Sequence, residues 1–368
     1  MAFGFITGLF AAEDYFLVKN LIANTKSVLL PLCICAFSNP VVPLIILRTW
    51  NKFILFFVIA VIPLISHDTY AFVLPPFYYL YAHFLNNIKN KWFWITLFAI
   101  AIIATGLENR SAVIKLAFSL ILLIGLMLDR FIPNLLLKCG HFTLFVAPII
   151  FFILGVTGEF NIFQGFPKEE DNIIVYSSNG QIEDQDTNNS SLSSDTRTFM
   201  YVEVLTSAII NDYVICGRSL SRGNDSGSIG AVEAEISGTG RMERNFNEAE
   251  ILNIFTWLGL IGTILFSSIY LHCSTLALYF SKNKYIKYLG LSVAFHWAYS
   301  WIEEGQSFRI MDFTLWIIIA MCASPQFRQM TNKEFEIWIA SLFTSRTFTP
   351  YHKLTIAKKM VRYLLIKK

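Results

Sequence analysis

Charge is scarce in this chain. Asp, Glu, Lys and Arg make up 15% of the 368 residues, while 55% are hydrophobic. A soluble chain of this length has no use for so many long apolar runs, so a water-soluble globular class is excluded. The formal net charge is only +3. Basic residues sit beside apolar runs and not in one patch, which argues against a nucleic-acid partner. Cysteine is also sparse, with six residues. Only Cys216 lies in a long polar interval, so no disulfide framework forms there. Cys33 and Cys35 form a CxC inside an apolar segment and read as packing residues. No His/Cys/Asp cluster has metal-ligand spacing, so neither a metal nor another cofactor is expected. The start, MAFGFITGLFAAEDYF, lacks the basic region and cleavage site of a signal peptide. No repeat of fixed period is visible.

Apolar runs, by contrast, are many. With about 20 residues per spanning helix, the candidates are 3–18, 27–47, 53–66, 70–84, 92–107, 112–128, 142–157, 251–271, 286–301 and 310–324. Glu13 and Asp14 interrupt the first. Pro63 and the Pro75-Pro76 pair imply broken or tilted helices in the third and fourth. The expected fold is all-α, a polytopic transmembrane bundle of about ten helices. Four regions follow: a membrane block at 1–157, a large loop at 158–250, a second membrane block at 251–324, and a basic tail at 325–368. Alternate links carry Arg48 and Lys52, Lys89 and Lys91, Arg130 and Lys138, then Lys282, Lys284 and Lys287. The intervening links are poor in Lys and Arg. The positive-inside rule therefore puts both termini in the cytoplasm and 158–250 on the far side, together with Arg110. At the tail's end, Leu354, Ala357, Val361, Leu364 and Leu365 oppose six basic residues, as in a helix on an anionic membrane surface.

The long polar interval has two parts. Residues 168–194 are polar and acidic and read as a solvated loop, and the Asn188–Ser191 glycosylation pattern within them reads as linker. Residues 195–223, DTRTFMYVEVLTSAIINDYVICGRSLSRG, are the stretch around which the chain is organised. Asp195 suits a helix N-cap. Phe199, Val202, Leu205 and Ile209 make an apolar face, and Glu203, Ser207 and Asn211 share another. This predicts a helix lying on the membrane or across the mouth of the bundle. Arg197 falls in its first turn, where free N–H groups favour an anion. Residues 217–240, rich in Gly and Ser, read as a loop without regular structure. GRSLSRGNDSG lacks the ending of a Walker motif.

Arg110, Arg197, Arg218, Arg222 and Arg244 all fall on one side of the bilayer in this topology. Arginine matches phosphate oxygens bidentately and keeps its charge when desolvated. A membrane-borne pyrophosphate fits both the charge and the location. Cleavage between a sugar anomeric carbon and that pyrophosphate passes through an oxocarbenium-like state, and fixed cations stabilise the leaving group. A carboxylate activates the acceptor hydroxyl, with Glu203 and Glu250 as candidates. Plainer roles stand beside these. Arg110 pairs with Glu108, Arg197 points into water, Arg218 and Arg222 are solvated loop charges, and Glu203 is part of a solvated face. His83 and His296, in apolar segments, read as helix–helix hydrogen-bonding groups.

The motifs and their order resemble a family. ENRSAVIKL, from Glu108, is similar to the serine-arginine motif that opens one spanning helix in bacterial O-antigen polymerases and ligases. Residues 195–223 resemble the arginine–glutamate–glycine stretch of their periplasmic loop, especially in polymerase-like proteins of Bacteroides-type bacteria. ERNFNEAEILNIFTWLGLIG resembles the segment that leaves that loop and ends in Gly-x-x-Gly. The resemblance covers about 107–334. It implies a multi-pass protein of the bacterial inner membrane with one large periplasmic loop. The substrate it implies is an undecaprenyl-pyrophosphate-linked oligosaccharide, with membrane lipids and a chain-length regulator as further partners. Arg110 and Arg197 then hold the pyrophosphate, assisted by Arg218, Arg222 or Arg244. Ligases of this kind carry a His just before the helix after the loop. Here that region reads Arg244-Asn245 and the loop has no His, which favours a polymerase. Gly217-Arg218-Ser219 departs from the commoner glycine-rich form. The rival class is a transporter or flippase of lipid-linked sugar, and a weaker one a non-catalytic assembly subunit.

Overall fold

In the computed structural model the described residues are 2–56, 114, 117–118, 121–122, 124–126, 128–157, 196–227, 229–303 and 310–342. Helix predominates among them. The elements are α1 (Ala2–Ala11), α2 (Tyr15–Leu29), α3 (Cys33–Phe37), α4 (Val41–Phe56), α5 (Asn134–Thr157), α6 (Thr196–Ile210), β1 (Asn224–Asp225), α7 (Gly230–Ser237), β2 (Glu243–Arg244), α8 (Glu250–Phe280), α9 (Lys284–Tyr299), α10 (Ile310–Ala323), α11 (Pro325–Gln329) and α12 (Asn332–Ala340). Among the described residues, three stretches of helix are long and apolar enough to cross a membrane: Tyr15–Phe37, Asn134–Leu154 and Glu250–Phe280. The expected spans at 70–84 and 92–107, residues 57–66 of the span expected at 53–66, the loop at 168–194, the tail helix after 350, and Arg110 lie outside the described residues, while the link expected at Arg48 and Lys52 is instead part of α4.

The chain forms two compact units, Met1–Leu32 with Pro133–Ser274 and Leu291–Asp312, and Cys33–Ile132 with Thr275–Gly290 and Phe313–Lys368. In the second unit, Asn283 caps α9 by accepting from the Ile286 N–H at 2.9 Å and donates to the carbonyls of Phe327 and Met330, both at 3.0 Å. The Trp338 indole donates to the Pro40 carbonyl at 3.0 Å. Arg48 donates to the Ser341 carbonyl at 2.6 Å. Thr331 and Glu334 form a capping box at the start of α12. Residues 325–340 are thus folded helices with buried Phe327, Phe335 and Trp338, where the charge pattern suggested a tail.

The described residues depart from the expected spans in two ways. The run 3–18 is two helices, because Asp14 ends one and caps the next, accepting from the Leu17 N–H at 2.8 Å. Likewise the run 27–47 is not one helix: it is interrupted by a 3₁₀ turn at Leu30–Leu32, with Pro31, and again before Val41.

The second departure concerns α8. Its 31 residues contain one non-helical position, Gly259, at φ 66° and ψ −166°. The Tyr270 hydroxyl nevertheless donates to the Glu250 carboxylate at 3.2 Å. Twenty residues of straight helix span about 30 Å, far beyond the reach of two side chains. Consistently, a methyl group on Gly262 would overlap Leu258 Cβ, whereas side chains four apart on a helix stand about 5–6 Å apart. The chain therefore turns back at Gly259, and α8 is a helical hairpin. Its first arm, 250–258, is about 13 Å long and almost wholly buried; its second, 260–280, is about 31 Å long and long enough to cross a bilayer alone.

Candidate functional site

The polar interval after α6 is an ordered module, not the irregular loop expected for 217–240. Residues 224–225 pair antiparallel with 243–244, Asn224 opposite Arg244 and Asp225 opposite Glu243. Gly223 and Gly230 lack the side chains that would overlap the backbones of Arg244 and Met242. This close approach lets a short two-stranded pair form from so polar a sequence, and α7 fills the connection between its strands.

The polar face expected on α6 carries the module. The Ser226 hydroxyl donates to Glu203 Oε2 at 2.8 Å. The Ser207 hydroxyl accepts from the Asp225 N–H and from the Tyr213 hydroxyl, both at 2.9 Å. The Asn211 amide donates to Asp225 Oδ2 at 2.6 Å. On the same helix, Met200, Val204 and Ala208 are buried, whereas Val202 and Ile209 are 59% and 71% exposed. The expected apolar face is thus present but turned outward, as suits a helix on a membrane.

The loop arginines are committed to carboxylates. Arg218 donates to Asp225 Oδ1 at 2.7 Å and to the Gly223 carbonyl at 2.8 Å, and lies 3.4 Å from Glu243. Arg222 Nε donates to both Glu243 oxygens at 2.9 Å, and its Nη2 adds a third bond. Two cations therefore share two anions around a buried Glu243. Buried charges are held in this way when opposite charges and hydrogen bonds satisfy them together. Asp225 shows the balance: burial pushes its carboxyl up, but the Arg218 and Asn211 hydrogen bonds and the two guanidinium charges hold it below the usual range. Arg244, buried on β2, donates to the Phe246 carbonyl at 3.1 Å and lies 3.8 Å from Glu248.

Glu250 begins α8 inside the hairpin, 3% exposed. Its N–H donates to the Glu303 carbonyl at 3.4 Å and the Ile251 N–H to Ser300 at 3.1 Å. The geometry brings Arg218, Arg222 and Glu243 into one cluster, with Glu203 reaching the same strand pair through Ser226. Glu250 lies apart, against Tyr270. Arg197 falls in the first turn of α6, as expected.

Several members of the module carried no signal as site residues. Asp225 and Asn224 sit in a stretch that reads as loop. Asn247 and Asn253 exchange backbone-to-side-chain bonds at 2.7 and 2.8 Å, and Asn247 donates to Asn224 at 2.9 Å. Asn20 and Asn24 on α2 bond to Asn245 and to the Leu220 carbonyl. Arg241 pairs with Asp14 at 2.7 Å, so the acidic pair that breaks the N-terminal helices also docks the module. The visible clue was a polar residue at i and i+4 on an apolar helix, as for Asn20 and Asn24. Comparisons with protein-family models, with curated proteins and with solved structures return no match.

Proposed function

We propose that this chain is a membrane-embedded, polymerase-type glycosyltransferase that moves glycan units between polyprenyl-pyrophosphate carriers. One observation carries the reading. The stretch that resembles the polymerase loop is folded into a dense module of fixed charges, joined directly to a helix able to cross a membrane. Transfer from a lipid-borne donor requires such fixed polar groups at a membrane. The resemblance implies Arg110 and Arg197 as the pyrophosphate ligands. Arg218, Arg222 and Arg244 act as the frame that positions α6 and the strand pair, since their guanidiniums already serve protein acceptors. Glu203, half-buried and steadied by Ser226, suits the base better than Glu250, which is enclosed within the hairpin. The charge asymmetry favours an inner-membrane protein with cytoplasmic termini and the module outside.

A second reading is a transporter of lipid-linked sugar. The break at Gly259 favours it, because interrupted helices often line transport sites. The test is purified protein in liposomes with lipid-linked repeat units. A ladder of lengthened glycans supports the transferase. Movement of the lipid between leaflets without lengthening supports the transporter and overturns it.

A further inference from the structure

The turn at Gly259 frees backbone groups of α8, and residues 213–218 take them up. The Leu260 N–H donates to the Val214 carbonyl at 2.9 Å, the Ile261 N–H to Ile215 at 3.2 Å, and the Arg218 N–H to the Thr256 carbonyl at 2.7 Å. Water would satisfy such groups at an aqueous surface. In hydrocarbon a non-helical segment persists only where protein supplies every partner; here the N–H groups of Val214, Ile215 and Cys216 have no acceptor among the described residues, so the strip lies where water or headgroups reach it. The side chains around the turn suit the boundary between that water and the lipid acyl chains. Ile215 is 63% exposed, and Leu260, Ile261 and Ile264 continue its apolar surface along the arm long enough to cross a membrane. Helix α1 has no charged residue, lies against Leu258 through Gly4, and exposes Phe3 and Ile6. Between Asp212 and Arg218 there is no charge.

We propose that the exposed side chains of the α8 hairpin tip and of residues 213–217 reach into the acyl-chain boundary of the membrane, with lipid covering them, while the N–H groups of 214–216 meet water and headgroups at that boundary. Three separate elements present apolar surface at one turn, and that surface is continuous with a membrane-crossing arm. An exposed apolar area of this extent on a soluble surface is rare and marks an interaction site. The module is then sunk at the lipid boundary, and the Arg218 cluster meets the membrane laterally. This goes beyond the transferase reading and does not depend on it.

The full wild-type chain in liposomes tests the inference, using an apolar diazirine that partitions into lipid and inserts into neighbouring residues on irradiation. Trypsin cuts after Arg197, Arg218, Arg222 and Arg241, giving peptides 198–218 and 223–241. The second exposes Val232 and Ile236 on α7 and serves as the internal reference. Residues 213–217 are expected to carry several-fold more label per residue than 223–241, since of the two only they reach acyl chains. Label at or below the reference level overturns the proposal. A dimer captured in the same liposomes by a bifunctional cross-linker in that case identifies a second copy of the chain, and not lipid, as the cover.

Discussion

Gly217 and Gly259 lie backbone against backbone, at φ +80° and +66°, and a methyl group on either would overlap the other's chain. Between them they hold the hairpin of α8 to the strip of chain that follows α6. Gly259 occupies a backbone region open essentially to glycine alone.

Gly259→Ala is therefore expected to destabilise the protein by at least ~2 kcal/mol, from backbone strain with the clash added. Gly140 on α5 has nothing within 4 Å of where its Cβ would stand, and Gly140→Ala is expected to be neutral or slightly stabilising. Thermal midpoints in detergent compare the two. Equal midpoints for Gly259→Ala and the wild type would remove the close crossing.

Glu243 separates a framing role for the arginines from a binding one. If Arg218 and Arg222 act as frame, Glu243→Gln leaves two guanidiniums short of an anion and costs about 2–4 kcal/mol, less than a fully buried pair because Arg222 retains some solvent. If instead they bind pyrophosphate, the same change releases them and tightens anion binding. Pyrophosphate titration alongside denaturant unfolding reads both effects. Tighter binding at unchanged stability would reassign the arginines.

Acid should loosen the module. Asp225 is held below the usual carboxyl range, and so is Asp14, chiefly by the Leu17 N–H and further by Arg241. A carboxyl whose folded pKa lies below its unfolded value contributes stability above the unfolded value, near 4, and loses it as pH falls through the folded one. The wild type should thus lose stability progressively below about pH 4. Asp225→Asn should be weaker at neutral pH and lose less on acidification. Superimposable acid limbs for the two proteins would exclude Asp225 from the acid response.

The transferase reading makes its sharpest demand on Arg197. A cation that neutralises a leaving group acts mainly in the transition state, so Arg197→Ala should lower glycan lengthening about a hundred- to a thousandfold, more than it weakens substrate binding. Arg197→Lys should restore little, because an ammonium lacks the bidentate fork. The gel ladder from liposomes measures both. Wild-type lengthening by Arg197→Ala would exclude that residue from the reaction.

What the sequence made legible follows from the range of each interaction. Local periodicity placed α9 and α10 close to where they stand: runs 286–301 and 310–324 became Lys284–Tyr299 and Ile310–Ala323. The Glu203, Ser207 and Asn211 face was visible for the same reason, as was a helix start near Thr196. The hairpin was hidden, because hydropathy averages over a window and carries no direction. Gly259 and Gly262 stand out in the sequence only as part of a resemblance. The pairing of Arg222 with Glu243 was hidden too, since it depends on Gly223 admitting the Arg244 backbone, a contact made only after the chain has closed on itself.

The hairpin also has a consequence for biogenesis. The first arm takes its opening carbonyl partners from Ser300 and Glu303, which leave the ribosome only after α8 and α9 are complete. The opening bonds of residues 250–258 are therefore the last of the hairpin to become available, whereas those of its turn, from 213–218 to Thr256, Leu260 and Ile261, join chain made earlier.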